Sequence, residues 1–136
     1  MDTEYLLDSN IIIGYLAGKI PYFGMDAVSI IVDKTPNISV ISQIEVLRFK
    51  DTPENEAALA DFVNSSVIYS LSSGIVRRTI EICRHSKIKL PDAIIAATAL
   101  TENLVLATRN VDDFKGIFNL KLLNPWDASH VERLSF

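Results

Sequence analysis

The chain has 136 residues, 49% of them hydrophobic and 22% charged, with a formal net charge of −4 and one cysteine, Cys83. That size and composition suit one domain spanning residues 1–136 with a sizeable core, and no apolar run approaches the roughly 20 residues of a membrane-spanning helix. A single cysteine excludes an internal disulfide, a paired redox motif and a cysteine-rich zinc site. The acidic start, Met1-Asp2-Thr3-Glu4, is unlike the basic start of a secretory signal, so no membrane association and a cytoplasmic address are expected.

In chain order, the first apolar run is Tyr5–Leu7, read as a buried strand. Asp8-Ser9-Asn10 then supplies capping residues before a helix over Ile11–Ala17. Gly14, Gly18 and Gly24 mark residues 14 to 34 as a shorter or broken helical hairpin. A second strand is expected at Ile38–Ile41, and Ser42-Gln43-Ile44-Glu45 fits a capping box opening the next helix. Thr52-Pro53-Glu54 offers an N-cap, a first-turn proline and an acid before Ala57–Val63. Strands at Val67–Leu71, Leu104–Thr108 and Leu120–Leu123 complete five. Between them, Ser72 and Ser73 precede a helix over Ile75–His85, and Pro91-Asp92 open another over Ala93–Leu100.

Strands alternating with helices imply right-handed crossovers and a parallel sheet covered on both faces. The class is therefore α/β, and ligands of such folds bind beyond the carboxyl ends of the strands. Asp8 ends the first strand, and Glu45 sits one turn into the helix after the second. Asp92 opens the helix that leads back to the fourth strand, and Asp113 follows that strand. Topology thus collects four distant acids on one rim, where like charges call for a compensating cation. All-oxygen ligands select Mg²⁺ or Mn²⁺ over zinc, a setting suited to phosphodiester hydrolysis. Each acid has a plainer role as well: Asp8 as an N-cap, Glu45 closing the capping box, Asp92 complementing a helix dipole, Asp112 and Asp113 in a turn.

Basic charge is uneven. Five of the 13 Lys and Arg lie between Arg77 and Lys89 (Arg77, Arg78, Arg84, Lys87, Lys89), with Glu81 the one acid among them. The stretch reads as a local phosphate track or as a solvated helix face. His85 and His130 have no partner at ligand spacing, Cys83 reads as a small core residue, and Trp126 reads as packing the C-terminal tail onto the sheet. Tyr15, Tyr22 and Phe23 suit either core or a partner surface.

Taken together, Leu6-Leu7-Asp8-Ser9-Asn10-Ile11-Ile12-Ile13, Ile41-Ser42-Gln43-Ile44-Glu45-Val46-Leu47, Leu90-Pro91-Asp92-Ala93-Ile94-Ile95-Ala96-Ala97-Thr98-Ala99, Ala107-Thr108-Arg109-Asn110 with Asp113-Phe114, and Leu122-Leu123-Asn124-Pro125-Trp126 resemble the PIN-domain nucleases, specifically the small VapC-like toxins. The resemblance runs nearly end to end, and its third block is the most specific. It implies a three-layer PIN-like α/β/α fold with a five-stranded parallel sheet, a Mg²⁺ or Mn²⁺ pocket, RNA as substrate, a cognate antitoxin and a homodimer. By position, Asp8, Glu45 and Asp92 resemble the metal-site acids. The fourth is Asp113 with Asn110 assisting, since relatives carry an acid at either place. Ser9, Asn10 and Thr108 resemble supporting positions. Arg48, Arg109 and Lys89 are placed to meet substrate phosphate, with Arg48 expected to pair with Glu45 at i, i+3 in the free protein. The competing readings are a non-catalytic RNA-binding or interaction module and a Mg²⁺-dependent phosphatase or phosphotransfer domain; Asp8-Ser9-Asn10 lacks the second aspartate of the latter.

Overall fold

The structure is a computed structural model that describes residues 3–134, so Met1 and Asp2 of the acidic start lie outside it. Five short parallel strands, β1 (Tyr5–Leu7), β2 (Asn37–Ser39), β3 (Val67–Tyr69), β4 (Val105–Ala107) and β5 (Leu122–Leu123), form one sheet in the order β3-β2-β1-β4-β5. Seven helices cover it: α1 (Ser9–Leu16), α2 (Tyr22–Asp33), α3 (Val40–Leu47), α4 (Pro53–Asn64), α5 (Ser73–His85), α6 (Leu90–Thr101) and α7 (Ala128–Glu132). No helix among the described residues is long and apolar enough to cross a membrane.

The near-continuous apolar strands are explained by the pleat. In β1, Tyr5 and Leu7 enter one core with Ile11, Ile12, Val28 and Phe62, whereas Leu6 enters the other with Ile75, Ile95 and Leu106. Successive side chains point to opposite faces, so burial on both faces leaves little room for polar side chains; β2 is the exception, with buried Ser39 and with buried Asn37, whose Nδ2 donates to the Tyr5 carbonyl at 3.1 Å. Helices α1, α2 and α4 build the first core and α5 and α6 the second, giving three layers, α/β/α. The order of the strands reverses between β1 and β4, which are paired as Tyr5 with Val105, Leu6 with Leu106 and Leu7 with Ala107. The crevice of the fold opens at that reversal.

Local expectations fare unevenly. Thr52 caps α4 through Asn55 N–H at 3.2 Å, and Ser72 caps α5 through Ile75 N–H at 3.2 Å. The capping box at Ser42 is overturned, because α3 starts earlier: Ser39 is its N-cap and accepts from Ile41 N–H at 3.1 Å. Ser42 is instead buried inside the helix, its hydroxyl without a hydrogen-bond partner. Of the shorter or broken hairpin, the short form is found, α1 and α2 joined by a turn, and the break at Gly24 is not. Helix α2 runs unbroken for 12 residues, and Gly24 serves close packing, since a Cβ there would overlap the Pro125 carbonyl. Gly18 does make the turn, with φ of +66°. Cys83 is exposed, on the outer side of α5, whose buried residues are Ile75, Thr79 and Ile82.

Gly24→Ala is expected to cost about 1–3 kcal/mol, because backbone on both sides must separate to admit the methyl. A fall in the urea midpoint with an unchanged slope would register it; an unchanged midpoint would show that α2 and the 124–126 segment do not pack this closely.

Candidate metal centre

Asp8 lies at the carboxyl end of the central strand and is 5% exposed. Its position follows from two pieces of backbone. Asp8 N–H donates to the Ala107 carbonyl at 3.0 Å, continuing the β1–β4 ladder by one residue. Its own carbonyl accepts the first helical bonds of α1, from Ile11 at 3.0 Å and Ile12 at 3.4 Å. Asp8 therefore is the N-cap of α1, its Oδ1 accepting from Ser9 N–H at 2.8 Å. Its Oδ2 has other partners: it accepts from the Thr108 hydroxyl at 2.8 Å and from Asn10 Nδ2 at 3.2 Å.

The Thr108 hydroxyl has a fixed direction. It accepts from Asn110 N–H at 3.1 Å and from Asn10 Nδ2 at 3.5 Å, which leaves its proton for Asp8. Thr108 is fully buried at the end of β4. Asn10 extends the network, its Oδ1 accepting from Arg109 N–H at 3.0 Å. Ser9 turns the other way and donates to Glu45 Oε1 on α3 at 3.2 Å. The serine beside Asp8 thus links the first acid to the second.

The structure links the four expected acids pairwise, Glu45 to Asp8, Asp8 to Asp92 and Asp92 to Asp113. Burial pushes the Asp8 carboxyl above its ordinary pKa; the Thr108 and Ser9 hydrogen bonds oppose that, and the charge of Glu45 adds to it. Partial burial also raises Asp92, with further upward pushes from Asp8 and from Asp113 and a downward one from Lys89. Asp92 stands in the first turn of α6, whose N-cap is Lys89. Asp113 is exposed on a short 3-10 helix, Val111–Phe114, anchored by buried Phe114. Asp112 is exposed and pairs with Lys115 at 2.6 Å.

A divalent cation suits this donor set in its chemistry: four carboxylates, hydroxyl and amide oxygens, and neither sulfur nor imidazole. Among the described residues, no three acidic, histidine or cysteine side chains already stand close enough together to hold an ion. Asp8 is pinned by three hydrogen bonds. Glu45 and Asp92 are half-buried and Asp113 is exposed, so these are the carboxylates with freedom to close.

Other expectations are corrected. Arg48 caps the C-terminus of α3 and makes no ion pair with Glu45 among the described residues; Glu45 is held from α1 by Ser9 instead. The basic stretch is not one track at the centre. Helix α5 is 13 residues long, about 20 Å, and Arg78 lines a cavity with Glu102 and Asn103 at the far end of α6, whereas Lys89 stands beside Asp92. Trp126, expected only to pack the C-terminal tail, has its ring under the Arg109 guanidinium, 4.8 Å from carbon to centroid. Nothing local in Asn124-Pro125-Trp126 signals that contact.

The PIN domain family profile matches residues 5–117. The chain belongs to the PIN-domain family. No curated protein matches it significantly, but solved structures do. A chain of a toxin–antitoxin complex from Klebsiella pneumoniae is 29% identical, with a TM-score of 0.74 over 91% of this chain and 99% of that one. A chain of VapBC2 from Rickettsia felis, bound to a DNA fragment from its promoter, is 27% identical, with a TM-score of 0.74 over 92% and 100%. VapBC-1 from nontypeable Haemophilus influenzae, at 24% identity and a TM-score of 0.74, shares the fold.

The raised carboxyls set a pH dependence. Between its ordinary pKa and its raised one, Asp92 binds more proton folded than unfolded, so its contribution to stability falls as pH rises through that window. Asp92→Asn is therefore expected to melt above the wild type in metal-free buffer at neutral pH, with the gap closing toward about pH 4. Equal melting temperatures across that range, or a gap that widens on acidification, would contradict the electrostatic crowding.

Proposed function

We propose that this PIN-domain protein is a Mg²⁺- or Mn²⁺-dependent endoribonuclease, the toxin of a type II toxin–antitoxin pair. The observation that carries the reading is the buried carboxylate of Asp8, held by three donors at the strand reversal, with Glu45 and Asp92 in its electrostatic reach and Asp113 in that of Asp92. A fold that buries an acid among acids, rather than beside a Lys or Arg, is unfavourable until a cation joins it. Divalent metal use is general among PIN-domain nucleases.

Asp8, Glu45, Asp92 and Asp113 are the residues that would hold the ion. Bound there, a divalent ion would lower the pKa of a water and stabilise the charge that develops on a cleaved phosphodiester. The chain supplies orientation. Thr108 and Asn10 fix one oxygen of Asp8 and the α1 amide fixes the other, so the carboxylate presents a constant edge. Ser9 steers Glu45. Asn110 holds the Thr108 hydroxyl through its N–H, and its side chain assists Asp113 without adding charge. Lys89 and Arg48 are exposed cations on the flanks of the acids and are assigned to substrate phosphate.

The partner assignments rest on relatives. Since the similar solved structures are toxin–antitoxin complexes, a cognate antitoxin is the proposed protein partner, with a homodimer as the assembly and the cytoplasm as the address.

Purified protein incubated with structured and unstructured RNAs is expected to cut in Mg²⁺ or Mn²⁺ and to stop in EDTA. Asp8→Asn and Asp92→Asn should each lower the rate by about 100-fold or more. Thr108→Val, which keeps the shape but removes the donor to Asp8, should weaken metal affinity about 10- to 100-fold. Cutting that persists in EDTA, or in both aspartate variants, would sink the metal–carboxylate mechanism. RNA binding without any cutting would favour the non-catalytic module, and phosphate release from a phosphomonoester without RNA cutting would favour the phosphatase.

A further inference from the structure

Arg109 leaves β4 directly after Thr108, and both of its backbone polar groups are tied down. Its N–H donates to Asn10 Oδ1 at 3.0 Å, and Asn10 in turn donates to Asp8 Oδ2 at 3.2 Å. Its carbonyl accepts from Asn124 Nδ2 at 3.5 Å. The backbone of Arg109 thus stands two hydrogen bonds from the buried carboxylate. Its side chain is exposed, makes no ion pair among the described residues, and places its guanidinium carbon 4.8 Å from the Trp126 ring centroid.

The Trp126 ring is itself a fixed platform. It fills the space that a side chain at Gly14 would need: a Cβ there would stand 2.9 Å from Cη2 and 3.1 Å from Cζ2. Its backbone N–H donates to Asn124 Oδ1 at 2.9 Å, so the asparagine that binds the Arg109 carbonyl also sets the tryptophan. Glycine at 14 is explained by this seat, as helix propensity otherwise favours any residue but proline over glycine in α1.

We propose that Arg109, held on the face of Trp126, is a phosphodiester-binding arm at the mouth of the metal centre, and that Trp126 is its positioning residue. The proposal rests on the ribonuclease reading and names the substrate group that this rim receives: a backbone phosphate beside the one being cut. A strand of RNA is a polyanion approaching a protein of net charge −4 and a rim of four acids. A cation at that rim offsets the repulsion only if no carboxylate already neutralises it. Stacking on an aromatic face meets the condition, because it uses the face of the guanidinium and leaves the in-plane N–H donors pointing outward. It also restricts the side chain before the phosphate arrives, which lowers the ordering cost of binding.

Steady-state cleavage of a labelled single-stranded RNA in Mg²⁺, repeated from about 50 to 200 mM KCl, tests this in the full chain. Arg109→Ala is expected to raise KM about tenfold, to leave kcat within about threefold, and to reduce the salt slope of log(kcat/KM) by about 0.7, the value of one phosphate on a single strand. Arg109→Lys should keep the slope and recover part of the KM. Trp126→Ala should reproduce the rise in KM, and Trp126→Phe should restore most of it, which a purely structural tryptophan does not require. If Trp126→Ala fails to fold, Arg109→Ala and Trp126→Phe carry the test. Wild-type KM and salt slope in Arg109→Ala, with wild-type cutting intact, would overturn the arm and leave the nuclease reading standing. A wild type that cuts no RNA would overturn both.

Discussion

The hydrogen bond from Thr108 to Asp8 joins the ends of the two central strands across the point where the sheet reverses its order. Everything that defines the centre hangs from that pair. The β1–β4 ladder sets the two residues side by side, and the Asp8 carbonyl launches α1 while its carboxylate caps it. Asn110 and Asn10 turn the threonine proton toward the acid. A carboxylate buried this deeply is unfavourable on its own, and hydrogen bonds to the charged form are what the protein offers against that cost before any cation arrives.

Constraint then spreads outward with decreasing rigidity. Asp8 is held by three hydrogen bonds, Glu45 by one from Ser9, and Asp92 and Asp113 sit on a helix start and a short surface turn. The cluster graded in this way has one fixed carboxylate and several less constrained ones. Under the proposed function, Mg²⁺, which demands near-ideal octahedral geometry, would be accommodated by adjusting the outer carboxylates around Asp8.

Much of this was legible from residue order. The strand–helix alternation, the doubly buried strands and the four rim acids follow from period and topology, and the caps at Thr52 and Ser72 from local chemistry. What the residues misled about was local. Ser39 and Ser42 both satisfy the rule for a helix start, and the choice of Ser39 depends on where β2 ends against β3, a register that no local signal carries. Gly24 read as a breaker because glycine punctuates, whereas here it admits a neighbouring chain. Cys83 read as core because cysteine usually is, and its helix instead turns it outward. The Arg109–Trp126 contact was invisible for a different reason: it joins the end of β4 to a segment beyond β5, and only the folded backbone sets it up.

The Asp8–Thr108 pair also imposes an order in time. Its partners lie 100 residues apart in the chain, and synthesis at about 5–20 residues per second separates them by about 5–20 s. The acid at the heart of the centre is among the first groups to leave the ribosome, and the hydroxyl that orients it is among the last. Through that interval β1 has no β4 to pair with, and the carboxylate remains in water as an ordinary, unburied aspartate. Until Thr108 emerges, the chain therefore carries Asp8 without the hydroxyl that orients it.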